Sequence, residues 1–310
     1  MTDQTAAITP VAVRVTKVRT GRRGKPTLGR QLLLQLCCIG IAITVLFPVV
    51  WIVAMSLDPR NLSKPDTLFP PSATLDAYVK VIQQPTLNPV SFLRLAANSL
   101  FLAALIAAMS VALGVFAAYA LSRMRFTGRE VFMIAILAIL MLPSIAILAP
   151  LFVSMNKIVI GDFNLRASLL GVALAVTAFQ LPFAIWNIKG YLDTIPHELE
   201  EAATVDGATR FQAFRHVILP LATPVLAVTA FFGFVAGWTE FYYATTFIVG
   251  DVQSWTLAVA LNGMVGQYAG STPWSQFAAF SILFALPVMV VYLYLQKYIV
   301  SGLTVGGLKG

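Results

Sequence analysis

The feature that most constrains this chain is where its charges are missing. Charge-free runs occupy residues 31–57, 95–122, 131–156, 167–188, 217–239 and 252–296. A helix crosses the hydrocarbon layer with about 20 apolar residues, so each of the first five runs holds one span. The fifth can extend past Glu240 toward Ile248. In the last run, residues 252–275 include Gln253, Asn262, Gly263, Gln267, Gly270 and Pro273 and read as loop, leaving 277–295 as the span. The pattern predicts an all-α integral membrane protein with six transmembrane helices. Only 11% of the 310 residues are charged, against about 25% in soluble domains, which excludes a soluble enzyme.

The spans divide the chain into a basic tail (1–30), a six-span domain (31–300) and a glycine-rich end (301–310). The tail abuts a span, so its bases read as a cytoplasmic flank rather than a nucleic-acid arm. The first span is too long for a signal-peptide core and no small-residue cleavage site follows it, so it is expected to remain as an anchor. Counted on alternating sides, 15 of the 21 Lys and Arg residues fall with the tail and six on the other side. That bias places both termini in the cytoplasm, and the net charge of +8 follows from topology.

Outside the spans, the loop 58–94 carries Pro65, Pro70 and Pro71 before an amphipathic stretch at 75–82, which reads as a small cap on the membrane surface. Prolines recur within the spans, at positions 48, 143, 150, 182, 220, 224 and 287, where each removes a backbone donor and kinks a helix. No phosphate-binding loop or nucleophile motif occurs, and His197 and His216 stand alone without metal-ligand spacing. Adjacent Cys37 and Cys38 point apart on one helix and read as small apolar fillers. Polar residues within the spans are few, and Asn98, Gln180 and Glu240 are the candidates for lining a pathway. Glu240, between Trp238 and Tyr242 near the outer boundary, reads more readily as an aromatic-belt position.

One insert departs from this apolar background: EEAATVDGATRFQAFRHVILP, residues 200–220, all but the last of which lie in a cytoplasmic loop at 189–219 between spans four and five. Pro196 suits a first helical turn, and Glu198, Glu200 and Glu201 suit its positive end. Leu199, Ala202 and Ala203 then share one face. Gly207 breaks the helix, and Thr209 caps a second one with Phe211, Phe214 and Ile218 as its stripe and Arg210 and Arg215 turned away. Pro220 marks entry into span five. The product is a knob of alanines ringed by acids. Laid on an anionic leaflet those acids would be repelled, so the knob fits a protein socket better.

EEAATVDGA followed by VILP resembles the EAA signature of permease subunits in binding-protein-dependent ABC importers. Glu201, Ala202, Ala203, Asp206, Gly207, Leu219 and Pro220 match it, while Val217 stands where isoleucine is usual. The loop LFPPSATLDAYVKV, the pair Asn98-Ser99, and WTEF at 238–241 resemble the carbohydrate branch, with Thr239 replacing the asparagine of W-N-E-F. WTLAVAL at 255–261 and SGLTVGGLKG at 301–310 look most like the second permease of maltose/maltodextrin importers. The resemblance implies a sugar permease without catalytic residues, metal or cofactor, for maltodextrin or another carbohydrate such as trehalose or glycerol phosphate. Implied partners are a second permease in a heterodimer, two copies of an ATP-binding subunit and an extracytoplasmic sugar-binding protein. The loop at 189–219 would be the coupling element, docking on an ATPase. Leu303, Thr304, Gly306 and Gly307 would lie at the ATPase interface, whereas the glycines alone read as a frayed end. A secondary carrier would need acids deep in the spans, and only Glu240 offers itself.

Overall fold

The computed structural model describes residues 27–65, 67–248, 250–265 and 272–306. The basic tail through residue 26, and Gln267, Gly270, Gly307 and Gly310, lie outside the described residues. Among the described residues, five helices are long and apolar enough to cross a membrane: α1 (Leu28–Ser56), α3 (Phe92–Arg123), α6 (Leu169–Leu192), the helical run Arg210–Trp238, and the stretch Trp274–Tyr298 of α12 (Trp274–Gly306). The chain forms two compact units, 1–48 and 49–310. The packing described below is that of residues 49–310.

The run 131–156 is not the single straight span its hydropathy predicts. α4 (Arg129–Leu140) and a helical stretch made of a 3-10 turn (Ser144–Ile147) and α5 (Leu148–Asn156) meet at 96°. Pro143 stands at the corner, where it lacks an N–H for the preceding turn and drives Leu142 away from helical backbone. Counted as one broken span, the pair brings the total to six. A two-residue hairpin, β1 (Val159–Ile160) with β2 (Phe163–Asn164), follows. The fifth run also stops short of Ile248: α9 (Leu219–Trp238) ends, and α10 (Tyr242–Phe247) starts separately.

α3 is the centre of the packing, lying against both α6 and α9. Lipid tails are as apolar as leucine, so helices in a bilayer hold together by close approach rather than by a hydrophobic drive. Gly233 and Gly237, four apart on α9, supply that approach. A Cβ on Gly237 would sit 2.7 Å from Ala103 Cα, and one on Gly233 would sit 2.9 Å from Ala107 Cα. Asn187 Nδ2 of α6 donates to Thr229 Oγ1 of α9 at 3.2 Å. Trp238 is fully enclosed, stacks on Phe234 and donates its indole N–H to Phe284 O of α12 at 2.9 Å.

Against α12 packs α2 (Asp76–Gln83), the amphipathic stretch that the sequence predicts, which buries Ala77 and Val81 one turn apart. Tyr78 Oη and Ser56 Oγ share a hydrogen bond of 2.8 Å. Asp58, nearly inaccessible, is forked by Arg60, whose hydrogen bonds outweigh burial and lower the carboxyl's pKa. Its backbone carbonyl accepts from Ser275 Oγ of α12. α11 (Leu257–Gly263) packs on α3 and α12, preceded by a 3-10 turn, Val252–Ser254.

Candidate functional site: the knob between α6 and α9

The insert folds into two short helices, α7 (Glu198–Val205) and α8 (Arg210–Ala213). Three acids occupy the first turn of α7, where exposed amides and the helix dipole favour negative charge. Pro196 precedes this turn rather than entering it, because His197 is the N-cap. The far end closes as a Schellman motif: Ala208 N donates to Ala203 O at 2.9 Å and Gly207 N to Thr204 O at 3.0 Å. That closure needs a left-handed residue after the cap, and Gly207 takes it with φ 90°. Thr209 then opens α8 through a reciprocal capping box, Gln212 N to Thr209 Oγ1 at 3.3 Å and Thr209 N to Gln212 Oε1 at 2.7 Å.

Between α8 and α9 the chain makes a π turn, Phe214–Ile218. Pro220 lies just beyond it, in the first turn of α9, where a missing N–H is tolerated. The wider turn breaks the 3.6-residue period on which the expected stripe depends. Phe214 and Ile218 are buried as predicted, but Phe211 is 63% exposed and Ala213 takes the inward place. Arg210 and Arg215 are exposed.

Glu201, Ala202, Asp206 and Gly207 come together on the exposed side of the knob, with Ala203 half-buried behind them. Leu219 and Pro220 belong to the span side of the π turn. Sequence reasoning missed two exposed apolar side chains on the same knob, Val205 at 88% and Phe211. Leu199 is exposed as well, at 42%.

The inner side of the knob is held by the last turns of α3. Arg123 Nε forms an ion pair with Glu200 Oε1, and Tyr119 Oη, one turn earlier, donates to Glu200 Oε2 at 3.0 Å. The rest of the guanidinium reaches Ile195 O at 2.9 Å and His197 Nε2 at 3.1 Å. Ser122 Oγ donates to Asp193 Oδ1 at 2.7 Å, and Lys189 pairs with the other oxygen. Burial opposes ionisation of Asp193, but the hydrogen bonds from Lys189 and Ser122 outweigh it and lower the carboxyl's pKa. In the sequence Arg123 counted only toward topology. The available signal was a basic residue at the end of one span facing an acid pair in another loop.

The three candidate pathway residues are not brought together. Glu240 Oε1 accepts from Tyr243 N at 2.6 Å and so caps α10. Asn98 Nδ2 donates to Gln253 O and Trp255 O, both at 2.8 Å, holding the chain that leads into α11. Gln180 is half-buried on α6 and makes no side-chain hydrogen bond among the described residues. At the end of α12, Leu303, Thr304 and Gly306 continue the helix, while Gly307 is outside the described residues.

Residues 110–305 match the family described as binding-protein-dependent transport system inner membrane component. The trehalose/maltose transport system permease protein MalG of Thermococcus litoralis is 36% identical over 283 residues, 91% of this chain and 98% of its own. The maltose/maltodextrin transport system permease protein MalG of Escherichia coli strain K12 is 35% identical, covering 86% and 91%. The trehalose transport system permease protein SugB of Mycobacterium tuberculosis is 34% identical, covering 86% and 93%. In fold, the chain is similar to one in the crystal structure of a bacterial ABC transporter involved in the import of the acidic polysaccharide alginate. The TM-score there is 0.67, with 23% identity over 88% of this chain and 99% of that one. Matched over more than half its length, and related at this level to permease subunits rather than to enzymes, the chain belongs to the binding-protein-dependent inner-membrane permease family.

Proposed function

We propose that this chain is one of two permease subunits of an ATP-driven sugar importer of the maltose/maltodextrin class. Both termini and the knob lie in the cytoplasm, in keeping with the bias of Lys and Arg toward that side. The observation that carries the reading is the knob itself: an exposed α7–α8 pair, closed by Gly207 and presenting Glu201, Ala202, Ala203 and Asp206. It docks into a cleft on one of two ATP-binding subunits. Closure of the nucleotide-bound pair then rocks the spans between inward- and outward-facing states, and an extracytoplasmic binding protein delivers sugar from the other side. Leu303, Thr304, Gly306 and Gly307 lie at the ATPase interface, and Leu219 and Pro220 set the angle between knob and span.

Trehalose is the second reading, favoured by the trehalose permease of M. tuberculosis among the relatives. The test is reconstitution with the second permease, the ATPase and the binding protein in vesicles. ATP hydrolysis and uptake are then measured with maltotriose and with trehalose. Stimulation by maltotriose alone supports the first reading and by trehalose alone the second. Stimulation by neither overturns both.

A further inference from the structure

The two ends of α3 are fastened in an unusual way. At its inner end, Tyr119, Ser122 and Arg123 grip residues 193–200, as described above. At its outer end, Arg94, Asn98 and Ser99 grip residues 253–257. Arg94 Nε and Asn98 Nδ2 both donate to Gln253 O, Asn98 donates again to Trp255 O, and Ser99 Oγ accepts from Leu257 N at 2.8 Å. Gln253 Nε2 closes the set on Pro89 O, just before the helix. Trp255 also lines an outer cavity of about 870 Å³ with Lys80, Gln84 and Asn88.

Between these grips α3 is unbroken. Its 32 residues contain no proline, whereas α1, α6, α9 and α12 carry Pro48, Pro182, Pro224 and Pro287. At 1.5 Å per residue that is a rod of about 48 Å, long enough to join the two faces of a membrane. Helices bend sharply at proline and at inserted groups, and α3 runs without a proline or a break.

We propose that α3 is a strut that makes the cytoplasmic knob and the outer segment 253–257 move as one body, with Arg123 and Tyr119 as positioning residues at one end and Asn98 and Ser99 at the other. A carboxylate gripped at both oxygens is carried along when α3 moves, and α3 is carried when the knob is pushed. Coupling between sites is reciprocal. A protein docking over the outer segment therefore alters ATP turnover at the knob, and nucleotide-driven movement of the knob reshapes the outer face. This rests on the transport reading above and adds the element that transmits between its two sides.

The experiment uses the complete importer in vesicles and reads the ratio of ATP hydrolysis with and without sugar-loaded binding protein. Arg123→Gln should lower that ratio about tenfold, within the range usual for coupled sites, while the ATPase still co-purifies with the permeases. Arg123→Lys, which keeps one charged bond to Glu200, should recover part of the loss. Asn98→Ala should lower the ratio comparably from the outer end. The double variant decides the matter, because a strut already cut at one end loses nothing more when cut at the other. A double variant no worse than the worse single supports the strut, and losses that multiply overturn it. If Arg123→Gln fails to assemble, Tyr119→Phe removes a single hydroxyl and gives the same readings. A wild-type complex without stimulation sinks the transport reading and the strut with it. A stimulated wild type with an unchanged ratio in both Arg123→Gln and Tyr119→Phe sinks the strut alone.

Discussion

The seam between α3 and α9 and the knob between α7 and α8 each depend on a glycine, for opposite reasons. Gly237 has no room for a side chain, since Ala103 Cα would be 2.7 Å from its Cβ. Gly207 has all the room it needs, with nothing within 4 Å of a Cβ, yet its φ of 90° disfavours one. In the seam the backbone is ordinary and the neighbours are close. In the knob the neighbours are absent and the backbone is special. The bilayer-embedded part of the protein is thus specified by shape. The part outside it is specified by caps, turns and hydrogen bonds.

The harshest way to break this contrast is Gly237→Leu. It should cost about 3 kcal/mol, the upper end of overpacking penalties, and lower the amount of folded permease recovered from membranes. Normal recovery with unchanged thermal stability would mean the seam is looser than its contacts.

Gly207→Val comes next. It should leave the chain inserted while abolishing sugar uptake, because holding a β-branched residue in this conformation costs about 2 kcal/mol. Gly207→Asn sharpens the point, since asparagine tolerates left-handed backbone and should retain more uptake than valine. Equal uptake in both would remove the backbone argument.

Glu201→Lys acts on the surface rather than the backbone. Like-charge contacts across an interface cost several kcal/mol, whereas an exposed ion pair contributes under about 1 kcal/mol. The ATPase should wash off membranes carrying Glu201→Lys and remain on those carrying Asp76→Lys in α2. Pull-down with equal recovery from both would reduce the acids of the knob to a solvated rim.

Thr209→Ala removes the cap of α8 and should cost about 1 kcal/mol, visible as a modest fall in uptake with the subunits still assembled. The smallest effect concerns pH. Asp193 has its carboxyl pKa lowered, so the stability it gives the Ser122–Lys189 grip is present above the unfolded value and is lost only as pH falls through the lower folded value. Knob attachment should therefore be level between pH 8 and pH 5, with unfolded carboxylates near 3.9. A drop within that window, seen in ATPase co-purification, would show that another group sets it.

Much of this contrast was legible in the residues. Charge-free runs marked the spans because burying a charge in lipid is costly. Gly207 and Thr209 marked the turn because helix ends have few chemical solutions. What escaped was tertiary. Hydropathy measures length and not direction, so the corner at Pro143 was invisible, though the proline itself was noted. Asn98 looked like a pathway residue because a polar group in a span signals function, whereas its amide is bound to two carbonyls of a segment some 155 residues away in sequence. The Arg123–Glu200 pair joins residues 77 apart, numbered 123 and 200, and no local pattern announces it.

The π turn at Phe214–Ile218 gives the joint between knob and span a fixed angular phase. A π turn holds one residue more than an α turn, and each residue of an α-helix advances about 100° around the axis. Winding the same residues there as ordinary α-helix would swing everything before them by roughly that angle. Glu200 would then face away from Tyr119 and Arg123 with every side chain of the knob still present. Surface loops tolerate gained or lost residues, but this short joint is keyed, and a change of winding there amounts to a change of aim.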